Sequence, residues 1–174
     1  MIILLVALSL SMDAFSLSLI YGINKLSKRK EIILSLIVGL FHLIMPLIGY
    51  GLGEFILNLF PVDLHILVTI IFTLIGIEMV IDSLKEPKYN LLTNITGMLL
   101  FGLAVSIDSF GVGIGLDLLT DNVFSSSVIF MIISGLITYI GLSFGKIIGK
   151  KIGKISNMVG GLILIILGVI YMFK

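Results

Sequence analysis

Two aspartates in matching surroundings are the residues of this 174-residue chain best suited to bind a cation. Asp13 lies in the run SMDAF (residues 11–15) and Asp108 in the run SIDSF (residues 106–110), each within a long apolar segment. A carboxylate at the centre of a membrane span costs about 2.5–3.5 kcal/mol on insertion scales. A hard divalent cation such as Mg²⁺, Ca²⁺ or Mn²⁺ would offset that cost, because the chain has no cysteine to bind softer metals. In the structural alternative, each aspartate is protonated, or hydrogen-bonded to a serine one turn away such as Ser9 or Ser16.

His42 and Pro46 lie one helical turn apart in the second apolar segment. Proline has no N–H to bond the carbonyl of His42, so we expect a kink in the helix there. The carbonyl oxygen and the imidazole would then both be available to a cation, and imidazole shifts the preference towards transition metals. The alternatives for His42 are a hydrogen bond between helices or a role as a proton carrier.

Two further acids, Glu78 and Asp82, share one face of the third apolar segment at i and i+4. Glu78 lies deeper in the segment and is a candidate site or pathway carboxylate, whereas Asp82 also fits an acid at the membrane interface. The predicted metal site therefore has five members: Asp13, His42, Glu78, Asp82 and Asp108.

The segments that carry these residues are long enough to cross a membrane. The chain is 59% hydrophobic and only 12% charged, with a mean hydropathy of +1.28, whereas soluble domains are about 25% charged. A helix needs about 20 mostly apolar residues to span the bilayer core. We therefore predict an all-α, polytopic membrane protein with six transmembrane helices at about residues 1–22, 32–53, 66–84, 91–116, 124–145 and 157–173.

The basic residues predict the orientation of these helices. Ten of the eleven lysines and arginines fall in the first, third and fifth loops, and terminal Lys174 is the exception. By the positive-inside rule these loops are cytoplasmic, and both termini lie outside. Because the basic residues lie in short loops and the net charge is only +1, the lipid bilayer is an expected partner and nucleic acid is not.

The two aspartate runs belong to a longer internal repeat. They align at an offset of 95, and the glycines at 39 and 49 of the second segment align with those at 135 and 145 of the fifth at an offset of 96. We predict repeat one at residues 1–88 and repeat two at residues 89–174. Each repeat has three helices, so the second must be inverted in the membrane, as in secondary transporters that bind substrate at the midplane between the halves.

These motifs resemble the MntP family of bacterial manganese efflux pumps over nearly the whole chain. The resemblance rests on LSMDAFS (residues 10–16), AVSIDSFGVG (104–113) and MPLIGYG (45–51). It implies six helices, export of Mn²⁺ across the cytoplasmic membrane, and Asp13 and Asp108 as site residues. Asp82 matches the family's acidic position at the end of the third helix. His42 stands where the family motif carries glutamine or glutamate, which leaves the preferred metal open.

The sequence thus predicts a multi-pass secondary transporter of the bacterial cytoplasmic membrane that exports Mn²⁺ by alternating access around midplane carboxylates. No enzyme activity and no cofactor are expected, since Mn²⁺ would be the transported substrate, and no oligomeric state is predicted. One alternative is a non-transporting scaffold, because the Asp108 run also resembles a group of sporulation membrane proteins. A second alternative is an exporter of another cation or small solute. A third is an intramembrane aspartyl protease, a class recognised by a G-x-G-D signature. The nearest run here, GIGLD (residues 113–117), has its acid one residue later than that signature requires.

Overall fold

The computed structural model describes residues 2–23, 26–59, 63–85, 94–148 and 150–173. Within these ranges the chain forms α-helices and one short 3₁₀ helix, and no strand. The elements, in chain order, are α1 (Ile2–Ile23), α2 (Lys28–Leu59), α3 (Leu64–Leu84), α4 (Ile95–Val105), α5 (Ile107–Ile114), the 3₁₀ helix (Leu116–Leu118), α6 (Val123–Ile148) and α7 (Lys150–Met172). The predicted all-α class is confirmed.

In the described ranges, six stretches of helix are long and apolar enough to cross a membrane, which confirms the predicted number of spans. Five of them lie in single helices, and α4 and α5 together form the fourth, Ile95–Ile114. The second and sixth helices extend further than predicted: α2 begins at Lys28 and α7 at Lys150. Residue 1 and residues 91–93 of the predicted helices lie outside the described residues.

The helices pack in a defined set of neighbours. α1 packs against α6 and α7, α3 packs against α7, and α2 packs against α5 and α6. Buried aromatic rings fill the core between them, and Phe72 and Tyr171 meet edge to face with their ring centroids 6.4 Å apart. Large apolar side chains also cover the outside of the bundle, and Leu36 and Phe124 are 67% and 63% exposed. This outward apolar surface suits contact with lipid rather than water.

The fourth span is interrupted at Ser106, where the backbone adopts φ −110° and ψ 1°. The Ser106 N–H donates to the Leu103 carbonyl at 3.3 Å, and the Ser109 N–H donates to the Ser106 carbonyl at 3.1 Å. Both bonds span three residues instead of the four of a regular α-helix. The continuous fourth helix predicted from the sequence is therefore two shorter helices, and the break lies two residues before Asp108.

α2 continues as one helix through Pro46. The proline lies against the fourth span, because a methyl group on Gly113 would lie only 2.6 Å from the Pro46 Cα atom. One turn earlier on α2, Phe41 packs against Gly102, whose added methyl group would lie 2.9 Å from the ring. Since His42 lies between these two contacts along α2, it is level with the break at Ser106.

Candidate cation site

Asp13 lies on α1 where this helix packs against α7. At this crossing a methyl group on Gly160 would lie 2.8 Å from both the Ser9 carbonyl oxygen and the Met12 Cβ atom. Asn157 precedes Gly160 by one turn, and its side-chain amide hydrogen-bonds to the Asp13 carboxylate. The Ser9 hydroxyl donates instead to the Leu5 carbonyl at 2.9 Å. Asp13 therefore has its polar partner on another helix rather than at Ser9.

Asp108 lies on α5 where this helix packs against α3. A methyl group on Gly111 would lie 2.9 Å from the Ile75 Cδ1 atom, so the side chain of Ile75 packs on α5 one turn beyond Asp108. Asp108 is half-buried, and its charge interacts most strongly with that of Asp13 and next with that of Glu78. The two aspartates of the matching runs are thus brought into electrostatic contact from separate helices.

α3 presents Glu78 and Asp82, which are both exposed on the bundle. Asp82 also accepts a salt bridge from Lys85 at 2.6 Å. The charges of Glu78 and Asp82 both act on Asp13 and on Asp108. Four of the five predicted residues therefore lie together, and we refer to Asp13, Glu78, Asp82 and Asp108 as the acidic cluster.

His42 lies away from this arrangement, fully buried on α2 beside the broken fourth span. Its Nδ1 atom is 2.9 Å from the Val38 carbonyl oxygen, so Nδ1 carries the proton and donates. Its Nε2 atom is buried and has no hydrogen-bond partner within the described part of the chain. The imidazole is therefore held on α2 with one unused lone pair.

The acidic cluster is not a closed metal cage. Across the part of the chain that the structure describes, no three histidine, aspartate or glutamate side chains form a group that could hold a metal ion. The four acidic side chains instead bring carboxyl groups from α1, α3 and α5 into one region of the bundle. Such a region attracts cations, and any ion bound there needs further oxygen ligands or a closer approach of the helices.

Sequence reasoning did not identify Asn157 as part of this region. The predicted sixth helix begins at residue 157, which placed Asn157 at a helix end, whereas α7 begins at Lys150 and buries Asn157 to 5% exposure. A signal was present in the glycine pair Gly160–Gly161 one turn later, because small residues mark the face on which a membrane helix meets its neighbours.

Comparison with known proteins gives one consistent family. A family model described as "Putative manganese efflux pump" matches residues 25–172. Proteins named "Putative manganese efflux pump MntP" from Geobacillus thermodenitrificans and Bacillus pumilus are each 32% identical to the chain, over 171 and 170 residues. These alignments cover 98% and 97% of the chain and 93% and 92% of the relatives. The protein of that name from Bacillus velezensis is 34% identical over 163 residues, which cover 92% of the chain and 88% of the relative. No solved structure matches the chain.

Proposed function

Because the chain belongs to the MntP family, as the sequence motifs predicted, we propose that it is a secondary transporter that exports Mn²⁺ from the cytoplasm. The family is one of efflux pumps rather than enzymes. The six apolar helices of the described ranges make this chain a multi-pass membrane protein. Mn²⁺ is its proposed substrate. We further propose, from the lysine and arginine distribution, that both termini lie outside.

The acidic cluster is the observation that carries this proposal. Asp13 and Asp108 come from matching sequence runs on different helices, and their charges interact within the spanning part of the bundle. Like charges repel strongly where water is scarce, so two neighbouring carboxylates there favour a bound divalent cation. Manganese(II) suits a site made of carboxylate oxygen ligands.

The order of the acids suggests a route for the ion. Asp82 lies near the end of α3 with Lys85, at the end of the bundle that the positive-inside rule makes cytoplasmic. Asp82 interacts with Asp13, and Asp13 in turn interacts with Asp108. We propose that Mn²⁺ meets Asp82 first and then moves to a site between Asp13 and Asp108, with Glu78 beside it.

Matching contacts in the two predicted halves support an inverted repeat. An added methyl group on Gly76 of α3 would lie 2.6 Å from the Gly161 carbonyl oxygen of α7, and one on Gly168 of α7 would lie 3.2 Å from the Thr69 carbonyl oxygen of α3. Gly76 and Gly168 are 92 residues apart, and so are Thr69 and Gly161, so each contact is the counterpart of the other in the opposite half. A second exchanged pair, at the offset of 96, joins Gly39 to the Met131 carbonyl and Gly135 to the Ser35 carbonyl. We propose that residues 1–88 and 89–174 are the two halves.

Alternating access would follow from relative motion of these halves. Broken helices are typical of the ion sites of secondary transporters, and here the break at Ser106 adjoins Asp108. We propose that α5 moves about this break, which would open the cluster to one side and then the other. His42 is level with the break and has an unused Nε2 lone pair, so it is a proposed assisting ligand when the segment moves.

Transport in proteoliposomes tests the proposal directly. The purified protein is reconstituted, and uptake of Mn²⁺, Mg²⁺, Ca²⁺, Zn²⁺ and Cd²⁺ is compared with that of the double variant Asp13→Asn, Asp108→Asn. We expect Mn²⁺ to move at least tenfold faster in the wild type than in the double variant. Equal rates for every ion would overturn the transport proposal and favour the scaffold alternative.

The protease alternative makes a different prediction. The acid of its GIGLD run, Asp117, is exposed on the 3₁₀ helix (Leu116–Leu118) and is not a member of the acidic cluster. Asp117→Asn should therefore leave Mn²⁺ uptake within twofold of the wild type, which makes it a matched acid-to-amide control.

A further inference from the structure

We infer that Asn157 is a ligand of the transported cation: its amide N–H group holds Asp13, and its carbonyl oxygen Oδ1 binds the ion. This inference rests on the proposed function of the acidic cluster and adds a neutral oxygen from a fourth helix, α7. Neither the sequence motifs nor the family resemblance pointed to this residue.

The packing of α7 places Asn157 between two helices that carry acids. Gly160 lies against Met12 of α1 and Met79 of α3, because its added methyl group would lie 2.8 Å from a side-chain atom of each. α7 runs antiparallel to α3, as the paired contacts of Gly76 with Gly161 and of Thr69 with Gly168 establish. One turn from Gly160 towards the start of α7, Asn157 is therefore level with Asp13 on one side and with Asp82 on the other.

The carbonyl oxygen of Asn157 finds no partner among the residues that the structure describes. The side chain is 5% exposed, and Oδ1 is buried without a hydrogen bond to any of these residues. The amide N–H groups are the only donors of the side chain, so the bond to Asp13 uses the nitrogen and leaves the oxygen free. Buried side-chain oxygens normally have a partner, and a buried one without a partner indicates a missing ligand or a functional role.

The chemistry of this oxygen fits the cation that the cluster would bind. Amide carbonyl oxygens are hard ligands that bind Mg²⁺, Ca²⁺ and Mn²⁺ beside carboxylates. Because the amide is neutral, it adds a ligand without adding charge to an already acidic cluster. It would also supply an oxygen that the cluster lacks, since the histidine and acid side chains of the described ranges form no three-membered metal group on their own.

Two substitutions separate a ligand from a residue that only orients Asp13. Asn157→Leu keeps the volume and removes both the donor and the oxygen. Asn157→Asp keeps an oxygen at the same place and removes the donor. The control is Thr138→Val. The Thr138 Oγ1 atom is also buried with no partner among the described residues, but it belongs to α6, a different neighbour of α1.

The measurement is Mn²⁺ binding to purified protein in detergent, followed by the loss of the free-ion signal in electron paramagnetic resonance. Thermal unfolding of the metal-free protein is recorded for each variant in parallel. We expect Asn157→Leu to weaken Mn²⁺ binding at least tenfold, Asn157→Asp to bind within threefold of the wild type or more tightly, and Thr138→Val to bind like the wild type.

Three outcomes would overturn the inference. Wild-type affinity in Asn157→Leu would show that the oxygen is not a ligand, and equal losses in the Leu and Asp variants would assign Asn157 to positioning Asp13 alone. If Asn157→Leu does not fold, weakened binding in a stable Asn157→Asp variant also rejects the oxygen as a ligand. The proposed function fails separately, by the absence of Mn²⁺ binding and transport in the wild type.

Discussion

The two aspartate runs have the same sequence pattern and different structures. Asp13 lies within α1, which is unbroken from Ile2 to Ile23. Asp108 follows a break at Ser106 that divides the fourth span into α4 and α5. The runs share serine, aspartate and phenylalanine at the same spacing but differ directly after the aspartate, where Ser109 donates its hydroxyl to the Ser106 carbonyl at 2.6 Å and the first run has Ala14.

The hydrogen-bond partners of the two serines that begin the runs also differ. The Ser11 hydroxyl donates to the Ala7 carbonyl at 2.6 Å and lies 2.9 Å from the Ser134 hydroxyl of α6. Among the described residues, the Ser106 hydroxyl bonds only to carbonyls of its own helix, with Gly102 at 2.7 Å and Leu103 at 3.1 Å. At the offset of 96, the counterpart of Ser134 on α2 is Val38, which offers no hydroxyl group.

This comparison suggests that the two halves have different roles in transport. α1 is tied to its neighbours by polar contacts on two sides, through Ser134 of α6 and Asn157 of α7. The Asp108 segment lacks the equivalent of the first tie, because Ser106 bonds back to its own helix as Ser11 does but, among the described residues, meets no hydroxyl group of α2. We infer that α1 stays fixed during transport and that α5 moves. We refer to these helices as the fixed wall and the moving wall of the site.

The largest predicted effect tests whether the two walls share one ion. Asp13→Asn and Asp108→Asn should each reduce Mn²⁺ transport by about 100-fold, because either change removes a charged ligand from the same cation. The measurement is the initial rate of uptake in proteoliposomes. A large loss in one variant with near-normal transport in the other would break the account, since the remaining aspartate would then bind the ion without its counterpart.

The next effect concerns the break itself. Ser106→Ala removes the back-bonded hydroxyl and introduces the strongest helix former, so we expect the fourth span to straighten and transport to slow about tenfold. The matched variant Ser11→Ala changes the same motif position in an unbroken helix, and its transport should stay within twofold of the wild type. Equal rates in the two variants would remove the functional distinction between α1 and α5.

A smaller effect is expected from giving the second half the missing hydroxyl. Val38→Thr adds an oxygen of similar volume where α2 faces the fourth span, so Ser106 could bond across the helices as Ser11 does. Interhelical bonds of this kind stabilise membrane proteins by about 0.6 kcal/mol on average. We expect a slightly higher unfolding temperature and transport slowed about threefold.

The reverse substitution provides the control for that experiment. Ser134→Val removes the tie from α1 and should lower stability by a similar amount, about 0.6 kcal/mol. Faster or unchanged transport in Val38→Thr would contradict the assignment of α5 as the moving wall.

The sequence was sufficient to predict the spans and the acids. Charged residues are costly in lipid, so apolar length predicts the helices and Asp13, Glu78 and Asp108 stand out as exceptions. The break at Ser106 was not predicted from the motif, because the two runs share its serine, aspartate and phenylalanine and the packing around the two serines is not evident from the sequence. Asn157 was missed for a related reason: its burial depends on α7 beginning at Lys150, before the apolar stretch starts.

The most direct test of the shared site is the number of Mn²⁺ ions bound by each purified chain. Equilibrium binding is measured in detergent for the wild type and for Asp13→Asn and Asp108→Asn singly. The account predicts one ion bound between the two aspartates in the wild type and loss of that same ion in either single variant. An ion retained with wild-type affinity in one of the two variants would contradict it.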